Sequence, residues 1–324
     1  MAASGGTKAV IAALLANTGI AITKFIAYLL TGASSMLAES VHSVADAGNQ
    51  VLLLIGGRHA TRKATETHPF GYGRVRYVYA FVVSIVLFAV GGLFALYEAW
   101  HKYEEVHAGE PNQLLDSGWW WVPLAVLAVA IVMEGFSLRT AVVESNKLRG
   151  GKSWVSFVRR AKAPELPVIL LEDIGALLGL VFALIGVGMT LITHNGYWDV
   201  AGTAAIGVLL VIIAVILAIE MSSLLIGEGA SEGAVDKIEA AIAAGGSGRI
   251  IHLRTLYIGP EELLVAAKIS IERTQSGEEI AAAINSAEAR VRAAVPEATV
   301  IFLEPDLDRA VSAARREAGQ PQNP

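Results

Sequence analysis

Six long apolar stretches dominate the chain, running from Lys8 to Thr31, Ser34 to Gly57, Val75 to Trp100, Trp119 to Val142, Glu165 to Thr193 and Trp198 to Ile226. A helix needs about 20 mostly apolar residues to cross the hydrocarbon core of a bilayer, and each stretch is long enough. With 54% hydrophobic and 17% charged residues among 324, the chain is too apolar to solvate as one ordinary globular domain. The expected fold class is therefore a membrane all-α bundle of six transmembrane helices. No signal-peptide pattern precedes the first stretch, so removal of that stretch is not expected.

Lys and Arg are distributed unevenly between the connecting loops, which sets orientation by the positive-inside rule. Arg58, Arg62, Lys63, Arg74 and Arg76 cluster between the second and third stretches, and Lys147, Arg149, Lys152, Arg159, Arg160 and Lys162 between the fourth and fifth. The segments around Thr31 and from His194 to Gly196 carry none, and Lys102 stands alone among Glu104, Glu105, Glu110 and Asp116. Both termini are then expected in the cytoplasm, in a prokaryotic inner membrane. Trp119, Trp120, Trp121 and Trp198 lie at expected outer ends, where aromatic side chains anchor helices. The chain has no cysteine, which excludes disulfides and thiolate sites. No nucleic-acid partner is expected.

After Gly227 the composition becomes that of a soluble module. Ser231 followed by Ala234, Ile238, Ala241 and Ile242 predicts a capped helix ending at Gly245 and Gly246. Ile250 to Ile258 and Leu263 to Ile271 read as strands, Ser276 caps a helix from Gly277 to Ala294, and Ala298 to Leu303 makes a third strand. The order is αββαβ, a small α+β domain with two helices on one face of an open sheet. The expected division is a transmembrane domain over 1–227, a cytoplasmic dimerisation domain over 228–306, and a disordered tail over 307–324.

The second stretch contains the chemistry. Glu39, His42, Asp46 and Asn49 recur at intervals of three and four and so share one helix face. Each ionisable group near mid-membrane costs about 3 kcal/mol to insert, so the stripe needs partners or a hydrated cavity. Glu172 and Asp173 in the fifth stretch are candidate partners. An imidazole and carboxylates from two helices suit Zn2+ or another borderline ion; the plainer alternative is that His42 and Asp46 pair with each other or with those acids to hold the bundle together.

The run from Ser34 to Gln50, the loop His68-Pro69-Phe70-Gly71-Tyr72-Gly73-Arg74 and the αββαβ tail together resemble the cation diffusion facilitator family. Glu172-Asp173 after two leucines, and Asn49-Gln50, are similar to its zinc transporter 9 branch. The resemblance implies a homodimer in the lipid bilayer that exchanges a divalent cation for protons by alternating access. It also implies that His42, Asp46 and Asp173 are ligands. The family's remaining ligand position, four before Asp173, is Ile169, and the resemblance leaves Glu172, Asn49 or a water to complete the shell. Glu172 lies about 100° around the helix from Asp173. Glu39 is either an exit-side station or a bundle hydrogen bond, and Glu134 is a candidate proton relay.

Other family sites are depleted here. His68 remains beside Thr65 and Tyr72, and the tail has Ala266, Ala267, Ile284 and Phe302 where many relatives have ligands, leaving His252 as its sole histidine. The tail is therefore expected to dimerise without metal. Arg74 matches a basic position that pairs in relatives with an acid near the end of the sixth helix, for which Glu220 and Glu228 are candidates.

The expected function is efflux of Zn2+ as transported substrate, with Mn2+, Fe2+ or Co2+ as alternatives. A metal-sensing membrane receptor without transport is the competing reading. An enzyme is disfavoured because no nucleophile motif, phosphate loop or zincin helix is present.

Overall fold

The computed structural model describes residues 3–151, 153–244 and 249–307, with side chains from residue 17 onward. The helix end expected at Gly245 and Gly246, and residues 308–324 of the expected tail, lie outside the described residues. Helix α1 spans Ala3–Thr31 and α2 spans Ser34–Ala60. Between them Gly32 adopts φ +61, a conformation that a side chain disfavours, and its N–H closes α1 on the Tyr28 carbonyl at 2.7 Å. Helix α3 spans Val75–His107, with the segment Leu87–Leu93 wound as a π-helix. Helix α4 is Trp121–Arg149, α5 is Glu165–Thr193 and α6 is Tyr197–Ile226. Pro164 precedes α5 and Pro167 sits in its first turn, where a missing N–H costs no helical bond.

Among the described residues, α3, α4, α5 and α6 are long and apolar enough to cross a membrane, with mean hydropathy of 2.0 to 2.9 over their best windows. Helix α2 has 27 residues, but its apolar run is interrupted by the polar stripe. Large apolar side chains are exposed along the bundle, among them Leu29, Val129, Phe136 and Ile192. So much exposed apolar surface needs lipid to cover it, and the protein is an integral membrane protein.

Helices can approach closely where small residues remove the intervening side chains. A Cβ on Gly186 of α5 would lie 3.0 Å from the Trp198 carbonyl, and one on Gly202 of α6 2.9 Å from that of Phe182. Asp199, at the start of α6, ties the same corner to the start of α2. Its carboxylate accepts from the Ser34 N–H at 2.8 Å and the Ser35 hydroxyl at 2.5 Å, so the free N–H groups of α2 meet a negative charge. Arg76 of α3 pairs with Glu165 of α5.

The chain divides into two compact units, one comprising 1–62 and 75–222 and the other 63–74 and 223–324. In the second unit the order is helix α7 (Glu232–Ala243), strands β1 (Ile250–Gly259) and β2 (Glu262–Ile271), helix α8 (Gly277–Ala294) and strand β3 (Val300–Leu307). Strand β2 is central, antiparallel to β1 and parallel to β3. Leu263, Val265, Ala267 and Ile269 alternate onto one face of β2 and pack with Ile238, Ile242, Ala287 and Val291 of the two helices. Ser276 and Glu279 form a capping box on α8; Ser231 stands at the N-cap of α7 without a side-chain cap bond. Strand β3 continues through Leu307, one residue past the expected domain end, because it stays in register with Ile271.

The loop 63–74 belongs to the second unit, a grouping that the division at Gly227 did not contain. Thr65 and His68 exchange backbone hydrogen bonds of 3.2 and 3.1 Å, and the His68 ring lies 4.6 Å from that of Tyr72. Gly73 fits against the β1–β2 hairpin, where a Cβ would stand 2.8 Å from both Gly259 Cα and the Ile258 carbonyl. Arg74 donates to the Tyr257 carbonyl at 3.4 Å. Of the acids expected as its partners, Glu220 stands 3.5 Å from Arg159 and Glu228 accepts from the Ser223 hydroxyl at 2.6 Å. Because backbone atoms crowd Gly73, Gly73→Ala should destabilise the second unit by about 1–3 kcal/mol, the usual cost of overpacking. Gly277→Ala, where nothing lies within 4 Å, should be near neutral. Thermal unfolding of the purified protein, together with protease nicking of the 63–74 loop, checks both.

Candidate functional site

Helix α2 carries its polar stripe inward. Glu39, His42 and Asn49 are buried and Asp46 retains 14% side-chain exposure, so the whole row lies within the bundle rather than toward lipid. The sequence holds these residues on one face by their spacing, and the helices packed around α2 supply their surroundings. Gly91, in the π-helical part of α3, lies beside the imidazole; a Cβ there would stand in ordinary contact, 3.8 Å from His42 Nδ1, and nearer to Leu210 of α6 at 3.3 Å. π-Helical segments often occur at functional sites, and this one brings α3 against both His42 and Leu210 of α6.

The expected ligands form two pairs. His42 Nε2 and Asp46 Oδ2 are 3.4 Å apart along α2. Across the helix gap, Asn49 Nδ2 donates to Glu172 Oε1 at 2.7 Å. Thus Glu172, which the sequence placed off the ligand face of α5, is the α5 acid that meets α2 directly. Asp173 instead accepts from the Ser137 hydroxyl of α4 at 3.1 Å. The 100° between adjacent helical residues accounts for the split. Asp46 remains within electrostatic reach of Glu172, Glu134 and Asp173. Among the described residues, no group of three or more His, Asp and Glu side chains converges as a metal nest. Ile169 packs in an apolar cluster with Ala141, Phe157 and Leu170.

Several of these buried atoms have no hydrogen-bond partner. They are Glu39 Oε1, both nitrogens of His42, Asp46 Oδ1 and Asn49 Oδ1, all on the α2 stripe. Such groups are costly in a dry interior unless something compensates them. A neutral imidazole has one lone-pair nitrogen, and the carboxylate and amide oxygens are acceptors, so the row favours a cation.

Sequence reasoning missed Lys24. It is fully buried in α1, with Nζ 2.9 Å from Glu39 Oε2 and 2.9 Å from Ser43 Oγ. Of the alternatives for Glu39, a bundle contact is the one the structure provides, with a lysine as partner. A single lysine in an apolar stretch is visible in the sequence, and its position opposite an acid stripe was the available signal. Ser137, the Asp173 partner, and Asp199, the α2 cap, were also missed; each is a polar residue within or bordering an apolar run. Outside the bundle, His68 and His252 are both exposed.

The Cation efflux transmembrane domain family model matches residues 10–226. The proton-coupled zinc antiporter SLC30A9 of Homo sapiens is 31% identical over 251 residues, covering 76% of this chain and 43% of its own length. The same-named protein of Xenopus laevis is 30% identical, covering 83% of this chain and 47% of its own length. Metal tolerance protein C4 of Arabidopsis thaliana is 26% identical, with 71% and 49% covered. The SLC30A9 proteins are designated mitochondrial, and the chain spans less than half the length of each of these relatives. A match across the helical bundle, together with similarity to SLC30A9 over most of the chain, shows that it belongs to the cation diffusion facilitator family, on the side of the zinc transporter 9 branch.

Proposed function

We propose that the protein is a divalent metal cation efflux transporter, with Zn2+ as its cargo ahead of Mn2+, Fe2+ or Co2+, working as a metal/proton antiporter by alternating access. The observation that carries this reading is the row of unpartnered buried atoms at His42, Asp46 and Asn49, facing Glu172 across the α2–α5 gap. Family membership and the names of the zinc-transporting relatives support the same reading.

The proposed ligands are His42, Asp46 and Glu172, with Asn49 Oδ1 and Asp173 completing the shell. Asn49 uses its amide N–H on one Glu172 oxygen, which fixes the carboxylate and leaves the Asn49 carbonyl oxygen as a buried acceptor. Asp173 joins by exchanging Ser137 for the cation. The carboxylates supply negative charge against the divalent cargo, and the imidazole favours borderline ions over Ca2+ or Mg2+. Coupling follows from the ligands themselves. A metal-bound carboxylate or imidazole must be deprotonated, so protons arriving from one side displace the ion.

In this reading α1 and α2 also span the bilayer, giving six crossings with both termini cytoplasmic. The transmembrane domain then covers 1–227 and the αββαβ domain over 228–306 joins two copies into a homodimer without metal.

Asp46→Ala removes a ligand without reducing helix hydrophobicity, so Zn2+ flux into proteoliposomes should fall to background while the protein still inserts. Near wild-type flux would remove Asp46 from the site. Glu172→Gln preserves size and one acceptor oxygen but removes a charge and a titrating group. Zn2+ affinity should fall, and its dependence on pH should flatten because one fewer proton competes. Binding measured from acid to neutral pH on both proteins tests this, and superimposable profiles would exclude Glu172 as a ligand. Truncation after Gly229 should weaken self-association, measured by light scattering in detergent, more than it weakens Zn2+ binding.

A further inference from the structure

Lys24 is a fully buried cation beside the proposed cargo site. It comes from α1 and contacts α2 at Glu39, one helical turn from His42 on the stripe, and at Ser43, the next residue after His42 and one turn from Glu39. Its charge acts on Asp46 and Glu134 as well as on Glu39. The Glu39 carboxylate is held through Oε2, while Oε1 is buried without a hydrogen-bond partner. One oxygen holds Lys24, and the other faces Gly179 of α5, where a Cβ would come within 2.5 Å of Oε1. Gly179 therefore creates the notch in which the ion pair fits.

A buried ion pair is poor evidence for stability, because desolvation offsets much of the attraction and apolar residues often serve as well. Its placement is more informative. A free carboxylate one turn from His42 would be a competing anchor for a divalent cation, and a free ammonium there would repel the cation. Paired, the two charges cancel at short range.

We propose that Lys24 is a positioning residue for transport: a tethered cation that occupies Glu39, withholds that carboxylate from the cargo, and sets the affinity of the His42–Asp46 site low enough for release. This rests on the metal-transport reading of the same site. It makes the signs of two substitutions opposite. Lys24→Met removes a positive charge and liberates Glu39, so Zn2+ should bind at least about tenfold more tightly and turnover should slow. Glu39→Gln liberates the ammonium, so Zn2+ should bind at least about tenfold more weakly, although Glu39 is not itself a ligand. The double variant Lys24→Met/Glu39→Gln restores neutrality and should bind within about threefold of wild type, as should Lys24→Arg.

The experiment is Zn2+ titration of the full-length protein and these variants in detergent, with proteoliposome flux alongside. Opposite shifts in the single variants that cancel in the double variant support the proposal. Shifts of the same sign, or single variants within twofold of wild type, overturn it. If an unpaired charge prevents either single variant from folding, the double variant and Lys24→Arg decide, and a change above threefold in either overturns the proposal. Asp46→Ala separates this from failure of the transport reading. If Asp46→Ala binds Zn2+ like wild type, the site itself is misassigned; if it does not bind while the Lys24 and Glu39 variants stay at wild-type affinity, only the role of Lys24 fails.

Discussion

The cost of placing charge in hydrocarbon governs this molecule. Helix α2 carries an acid, an imidazole, a second acid and an amide along one face, and a bare stripe of this kind in lipid costs several kcal/mol. The other helices are arranged around that debt: α1 brings Lys24 to Glu39, α5 brings Glu172 to Asn49, α4 brings Ser137 to Asp173, and α6 offers Asp199 to the start of α2. Polar side chains thus link helices whose lipid-facing sides are almost wholly apolar. The compensation is incomplete at one Glu39 oxygen and at His42, Asp46 and Asn49, where polar atoms are left without hydrogen-bond partners.

Small residues determine how near each partner comes. Gly179 admits the Glu39 carboxylate, Gly92 admits Val211 of α6 next to the His42 contact, and the Gly186–Gly202 contact brings α5 and α6 backbones together. In a lipid environment, where burying apolar surface between helices gains little, close packing and hydrogen bonding provide much of the association. Gly179 is therefore a constraint on the position of a functional group as well as on helix packing.

Much of this was legible in the sequence, for a physical reason. Long apolar runs and period-two alternation leave few alternatives for Glu165–Thr193 or for β2; the helix has its expected bounds and β2 begins one residue before the expected Leu263. The inward direction of the α2 stripe was also readable, because spacing fixes a helix face. What crosses between helices was less accessible. Lys24 reads as one charge in an apolar run until α1 is packed on α2. The choice between Glu172 and Asp173 depends on the rotation of α5, which neighbouring helices set. Ser137 became relevant only once α4 lay against α5. In the second unit the strands were legible but the placement of the 63–74 loop against the hairpin was not, since two glycines facing each other across more than 180 positions leave no periodic trace.

The π-helical segment Leu87–Leu93 also determines how α3 is phased. Each π turn closes its hydrogen bond over one more residue than an α turn, so the segment absorbs an insertion while the helix continues. Since one residue in an α-helix is about 100° of rotation, the faces of Val75–Val86 and Phe94–His107 are not in common register. Buried residues line both parts, Tyr77, Ala80 and Val83 in the first and Ala95, Glu98, Ala99 and Lys102 in the second. Gly91 and Gly92 lie at the changeover, against Leu210 and Val211 of α6.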